Sequence, residues 1–127
     1  MNRERALKVV IIAAGLLFVA GVYPLVTTLW HWRQSDEMVP MFLSVYVTLG
    51  VFLLIAARNP AAHRSVISFA AWSSFAHAFV MLIQAIGDVA GRPDLFGMSA
   101  ILLIIGVPLV ALAPPKRSAD LAPAPSA

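Results

Sequence analysis

The chain has no cysteine among its 127 residues, and few residues that carry a charge. Without thiols it cannot form a disulfide bond, a thiolate metal site or a cysteine-ligated iron–sulfur cluster. Charged residues make up 12% of the sequence and hydrophobic residues 61%, whereas a soluble domain has about 25% charged residues. There is too little polar surface to face water. The composition therefore predicts an integral membrane protein with the lipid bilayer as its solvent, and the length favours one domain.

Long hydrophobic runs are what the chain does have. A helix that crosses the hydrocarbon core needs about 20 mainly apolar residues, and four runs are long enough, without the alternating pattern of a β-barrel strand. Their connections are short, so neighbouring helices should be antiparallel. The sequence predicts an all-α, four-helix antiparallel bundle over 9–113, with helices at about 9–30, 39–57, 66–87 and 95–113. Pro24 should kink the first helix near its far end.

The cations are distributed unequally between the connections and predict an orientation. If the chain alternates across the membrane, seven of the nine lysines and arginines lie on one side, namely Arg3, Arg5, Lys8, Arg58, Arg64, Lys116 and Arg117. Cytoplasmic segments of membrane proteins are enriched in such residues. We therefore expect 1–8 to be a cytoplasmic N-terminus and 114–127 a disordered cytoplasmic tail. The net charge of +3 then reflects topology, and no nucleic-acid partner is predicted.

Polar side chains form one stripe on the third predicted helix. His77 is the only residue within the four runs whose side chain ordinarily titrates near neutral pH. Ser73, Gln84 and Asp88 share its helical face, since the successive spacings are four, seven and four residues, and Ser74 lies at the margin. Polar groups in lipid are costly and tend to be functional. The stripe is therefore a candidate ligand or proton site; alternatively, its side chains hold the helices together by hydrogen bonds.

The second predicted helix adds Ser44 and Thr48, one turn apart on one face. Hydroxyls in membrane helices often bond to a carbonyl of their own helix, so a local role competes with ligand binding for both residues. His31 and His63 are predicted at opposite membrane boundaries and should not meet His77. We therefore predict no metal site, no cofactor and no set of catalytic residues.

A family resemblance runs through the central segments, which read Ser44-Val-Tyr-Val-Thr-Leu-Gly50, Ala56-Ala-Arg-Asn-Pro60, His63-Arg-Ser65 and Ala71-Trp-Ser-Ser-Phe-Ala-His-Ala78. In these stretches, the chain resembles a family of small bacterial membrane proteins with a domain of unknown function and four transmembrane helices, loosely similar to the DoxX-like proteins. The resemblance implies a multi-pass protein of the bacterial inner (plasma) membrane. It implies no activity and no catalytic residues.

Three classes of function follow from these patterns. The first is a non-enzymatic membrane protein whose bundle binds a partner, a lipid or a small apolar ligand near His77, and it requires nothing beyond the visible features. The second is a small transporter working as a homo-oligomer, since four helices enclose little space for a pathway. The third is a membrane redox subunit associated with quinone or haem, in which His77, Ser73 and Gln84 bond to a quinone carbonyl. The first class is favoured because no catalytic constellation is evident.

Overall fold

The computed structural model describes residues 2–31, 33 and 38–114. Within these residues the chain forms five α-helices and a one-turn 3-10 helix at Pro60–His63. The α-helices are α1 (Arg3–Ala20), α2 (Val22–Trp30), α3 (Met38–Ala56), α4 (Arg64–Gly87) and α5 (Arg92–Ala111). Because α1 and α2 are nearly continuous, the described residues contain four helices long and apolar enough to span a membrane: Arg3–Trp30, Met38–Ala56, Pro60–Gly87 and Arg92–Ala111. The predicted all-α fold with four such helices is confirmed.

The first helix begins at Arg3, before the hydrophobic run that starts at residue 9 and predicts it. The side chain of Asn2 accepts a hydrogen bond from the backbone N–H of Glu4 and caps α1, which begins at Arg3. Leu7 is only 3% exposed and belongs to the core. The basic N-terminal segment is therefore a helical turn that packs with the bundle. Of the predicted tail, 114–127, only Pro114 lies within the described residues, so Lys116 and Arg117 lie outside them.

The bundle is built from two hairpins, each held by close contact at a glycine. In the first, α1 packs on α3, where a Cβ atom on Gly50 would lie 2.8 Å from the carbonyl oxygen of Gly15. In the second, α4 packs on α5, where a Cβ atom on Gly106 would lie 2.7 Å from the ring of Phe75. Small residues allow such close approach, which drives helix association in lipid. The hairpins then meet through α1 against α5 and α3 against α4.

Two arginine side chains form hydrogen bonds at the end of the bundle where α1 begins and α5 ends. Arg3 donates from Nη2 to the carbonyl oxygens of Ala111 and Ala113, each at 3.2 Å. Arg64 donates from Nε to the carbonyl oxygen of Pro114 at 2.7 Å. Cations stabilise a helix C-terminus, whose last carbonyls have no helical donor. The start of α1, the start of α4 and the end of α5 therefore share one end of the bundle.

The first span is interrupted between α1 and α2. Pro24 has no N–H to donate to the carbonyl of Ala20, and α1 ends at that residue. The N–H of Gly21 bonds to the carbonyl of Phe18 at 3.0 Å, a tighter turn than the α-helix makes. The helix is interrupted at Gly21, three residues before the proline at which the kink is predicted. Beyond it, α2 packs mainly against α3 and contributes no buried residue.

Candidate functional site

A cavity of about 390 Å³ is lined by residues of all four spans, at the level where α1 gives way to α2. Its wall is formed by Leu17, Phe18, Ala20, Gly21 and Pro24 from the first span, Phe42, Leu43 and Tyr46 from α3, His77 from α4, and Met98, Ile101 and Leu102 from α5. Most of this wall is apolar. The polar side chains in it are the His77 imidazole and the Tyr46 phenol.

Aromatic contacts fix the His77 ring at the cavity wall. Its centroid lies 5.3 Å from that of Tyr46 and 5.5 Å from that of Phe42, with the planes nearly perpendicular at 80° and 77°. Tyr46 stands edge-on to Phe18 in turn, at 5.1 Å. Edge-to-face pairs of this kind are favourable and restrict ring rotation. The His77 ring is therefore oriented by apolar neighbours, which leaves its nitrogens available.

The polar atoms of this pair lie at accessible surface. Among the described residues, neither the His77 ring nor the Tyr46 hydroxyl forms a hydrogen bond. In that same part of the chain, every fully buried side-chain nitrogen or oxygen has a hydrogen-bond partner. The polar atoms of both side chains must therefore lie at accessible surface, and both residues line the cavity. A neutral imidazole offers one donor and one acceptor, and a phenol offers both functions in a single group. Together they can bind a hydroxyl or a carbonyl group.

The rest of the predicted stripe on α4 does not enter the cavity. Ser73 is half-buried and Ser74 fully buried, and their hydroxyls donate to the carbonyl of Ala70 at 3.2 and 2.7 Å. Both hydroxyls are thus used within their own helix, as is common in membrane helices. The structure brings only His77 from the stripe to the cavity wall.

The far end of the stripe lies at the surface of the bundle. Gln84 and Asp88 are exposed. A carboxylate oxygen of Asp88 accepts a hydrogen bond from the backbone N–H of Gly91 at 2.9 Å, and so shapes the turn between α4 and α5. Arg92 closes the same turn by donating to the carbonyls of Ala85 and Ile86. Asp88 is therefore part of a local turn, remote in role from His77.

Ser44 and Thr48 lie in a different concavity from His77. Their hydroxyls donate to the carbonyls of Met41 and Ser44 at 2.7 and 2.9 Å. Both residues line an open groove of about 460 Å³ between α3 and α4, together with Val45, Leu49, Phe52, Ser65, Val66 and Phe69. The groove and the cavity have no lining residue in common. The candidate residues named from the sequence thus do not form one site: His77 lines the cavity, Ser44 and Thr48 line the groove, and the other four line neither.

The other two histidines contact their own chain. The Nδ1 atom of His31 lies 3.0 Å from the carbonyl oxygen of Thr27, and that of His63 lies 3.0 Å from the carbonyl oxygen of Asn59. Across residues 2–31, 33 and 38–114, no three histidine, aspartate or glutamate side chains are grouped so that they could hold a metal ion.

Tyr46 is the site residue that sequence reasoning missed. None of the patterns described in the sequence gives it a role. One signal was available, because Tyr46 lies four residues after Phe42 and hence on the same helical face. That both would face His77 could not be read from the spacing, since it depends on how α3 packs against α4.

Comparison with known protein families complements this geometry. The model of a family of unknown function, DUF6632, matches residues 3–126. The chain belongs to this family. Membership in DUF6632 covers nearly the whole chain and confirms the predicted placement in a family without an assigned activity. Searches of curated proteins and of solved structures gave no match, and no comparison connects this DUF6632 protein with the DoxX-like proteins.

Proposed function

We propose that this protein is an integral membrane protein that binds a small, largely apolar molecule in the cavity beside His77. The observation that supports the proposal most directly is the cavity itself, which has apolar walls and two polar side chains with open atoms. Small-molecule sites generally combine a mainly apolar surface with a few placed polar groups, in volumes of about 300–1,000 Å³. No catalytic step is part of the proposal.

The chemistry of the wall defines the class of ligand. A polar group in an apolar medium is costly when it has no hydrogen-bond partner, and His77 and Tyr46 both present such groups. A ligand with one hydroxyl or carbonyl would satisfy them, while its apolar body fills the space among Phe42, Met98 and Ile101. The ligand is therefore an apolar molecule with a single hydrogen-bonding head.

The route into the cavity is lateral, through the bilayer. Because α2 packs mainly on α3 and buries no residue of its own, the first span leaves α5 at this level. Pro24 of α2 and Met98 of α5 both line the cavity. A molecule dissolved in lipid can enter between α2 and α5 without crossing water, which suits an apolar ligand.

Mass spectrometry on matched variants tests the ligand. Ile101 lines the cavity and is 41% exposed, whereas Ile104, three residues later on α5, is 70% exposed and lies outside it. We expect the wild type, purified in mild detergent, to retain a small molecule in native mass spectra. Ile101→Phe should lose it because the added ring occupies its space, and Ile104→Phe should retain it. Equal retention by both variants would place the molecule elsewhere.

A redox role would use the same cavity. The rings of Phe18, Phe42 and Tyr46 beside the His77 imidazole would also suit a quinone head group, whose carbonyl would accept a hydrogen bond from His77 or Tyr46. The mass of the retained molecule and the absorbance of an organic extract distinguish this second candidate from a ligand that is not redox-active.

The membrane and the orientation are part of the same proposal. We place the protein in the bacterial inner membrane with both termini in the cytoplasm, on the unequal distribution of cations between the connections. Arg3, Arg64 and the end of α5 share one end of the bundle, so this charge is concentrated on one side. In the cysteine-free chain, an impermeant maleimide applied to intact spheroplasts should label Val89→Cys and not Ala62→Cys. The reverse pattern would invert the topology.

A further inference from the structure

The groove between α3 and α4 is a second concave surface, and it shares no lining residue with the His77 cavity. Its floor and walls are apolar, with Val45, Leu49 and Phe52 from α3 facing Val66 and Phe69 from α4. It is more open than the cavity between the spans. A concave apolar strip along two membrane helices has the shape that a lipid acyl chain requires.

One end of the groove is polar. Ser65, in the first turn of α4, lines it there. Nearly all other serine and threonine hydroxyls in the described part of the chain donate to a backbone carbonyl. The hydroxyls of Ser65 and Ser68 are the exceptions there, and Ser65 is exposed. The groove therefore ends on a hydroxyl that is free to donate.

The charge around this end is positive. The connection that joins the two walls of the groove contains Arg58 and Arg64, and the sequence from 38 to 87 contains no aspartate or glutamate. Arg64 is engaged with the carbonyl of Pro114. Arg58 is exposed, and its guanidinium has no hydrogen-bond or ion-pair partner among the described residues, where the one salt bridge joins Lys8 and Glu4. A free guanidinium therefore belongs to the connection at the end of the groove that Ser65 lines.

We propose that this groove binds an anionic phospholipid, with one acyl chain between α3 and α4 and the phosphate at Arg58 and Ser65. The charge complements a phosphate, and a guanidinium binds phosphate through two parallel hydrogen bonds. Basic pockets between membrane helices are a general means of selecting anionic head groups. This inference stands apart from the proposed ligand of the cavity, since the two places share no residue.

The contribution of charge to lipid binding is tested by titrating lipids in detergent and measuring the bound lipid by native mass spectrometry. Phosphatidylglycerol should bind more tightly than phosphatidylcholine. Arg58→Gln should reduce this preference about five-fold, since a basic residue near the head groups contributes about 1 kcal/mol. Arg5→Gln is the matched control: it removes the same charge at the same end of the bundle, from α1. We expect less than about a two-fold change there. Equal losses in both variants, or no preference in the wild type, would overturn the proposal.

Binding of the acyl chain in the groove is tested by a substitution that fills the groove. Thr48 lines the groove, whereas Val51, three residues later on α3, is exposed outside it. Thr48→Phe should weaken binding of phosphatidylglycerol and Val51→Phe should leave it unchanged, with the same helical circular dichroism and thermal transition in both variants. Undiminished binding in Thr48→Phe would overturn the assignment to this groove, as would an equal loss in Val51→Phe.

Discussion

The two parts of the first span, α1 and α2, have similar apolar composition but differ in how they pack. Five residues of α1 are buried, namely Leu7, Ile11, Ala14, Gly15 and Phe18, and none of α2 is. In lipid an apolar side chain has no need to leave its surroundings, so hydrophobicity does not decide which helix packs. Steric fit decides it: α1 meets α3 at Gly15 and Gly50, whereas α2 follows a break in the helix. The space beside His77 lies at the interruption, since Gly21 and Pro24 both line it.

The largest effect should come from disturbing the packed part. In Gly50→Ala the new methyl group would lie 2.8 Å from the carbonyl oxygen of Gly15 and 2.9 Å from the backbone nitrogen of Val19. Backbone atoms cannot rotate away, so α1 and α3 must separate, and we expect a loss of about 1–3 kcal/mol in the free energy of unfolding. Unfolding in mixed micelles with increasing SDS measures it.

Gly97→Ala is the control for that substitution. No atom lies within 4 Å of a Cβ placed there, and alanine favours a helix over glycine by roughly 0.5–1 kcal/mol. It should be neutral or slightly stabilising. If Gly50→Ala behaved like Gly97→Ala, the close crossing of α1 and α3 would be wrong.

A smaller effect should separate two leucines of the first span. Leu7 in α1 is 3% exposed and Leu29 in α2 is 55% exposed. Leu7→Ala should cost about 1–2 kcal/mol, below the roughly 2–5 kcal/mol of a soluble core, because detergent keeps the side chain out of water in the SDS-unfolded state as well. Leu29→Ala should cost close to nothing in the same SDS titration. Equal costs would mean that both parts of the span are packed alike.

The smallest effect on stability is expected at Pro24, where a change of geometry is the better measure. Pro24→Ala restores an N–H for the carbonyl of Ala20 and removes the ring that interrupts the helix. We expect α2 to move toward α5, which shortens the distance between spin labels at Val26→Cys and Phe96→Cys in double electron–electron resonance. Labels at Val9→Cys and Val110→Cys, across the packed part, should keep their distance. An unchanged distance in the first pair would show that Pro24 does not set the position of α2.

Much of the fold follows from the sequence, because run length and charge position are properties of a single chain segment. The four long apolar helices and the interruption before Pro24 are of this kind. The start of α1 at Arg3 was missed since hydropathy marks the lipid-crossing part and not the helix, which Asn2 caps further out. The pairing of Gly15 with Gly50, and of Tyr46 with His77, depends on distances between helices. No spacing within one helix encodes those distances.

For the candidate site, too, the sequence predicts some features and leaves others to contacts that only the structure shows. Periodicity placed Ser73, His77, Gln84 and Asp88 on one face, but it could not show that Ser73 bonds within its own helix or that Asp88 shapes a turn. Those outcomes depend on which carbonyl or N–H lies nearest to each side chain. The sequence could single out His77 because an imidazole in lipid is costly wherever it faces.

The most direct test of the His77 cavity is the nitrogen chemical shift of the three histidine rings in the detergent-solubilised protein, with 4-fluorophenol added as a small apolar probe that has one hydroxyl. The account predicts a saturable shift at His77 that Ile101→Phe abolishes. His31 and His63, whose rings contact their own backbone carbonyls, should not move. A His77 signal that stays fixed, or three signals that drift together without saturation, would contradict the account.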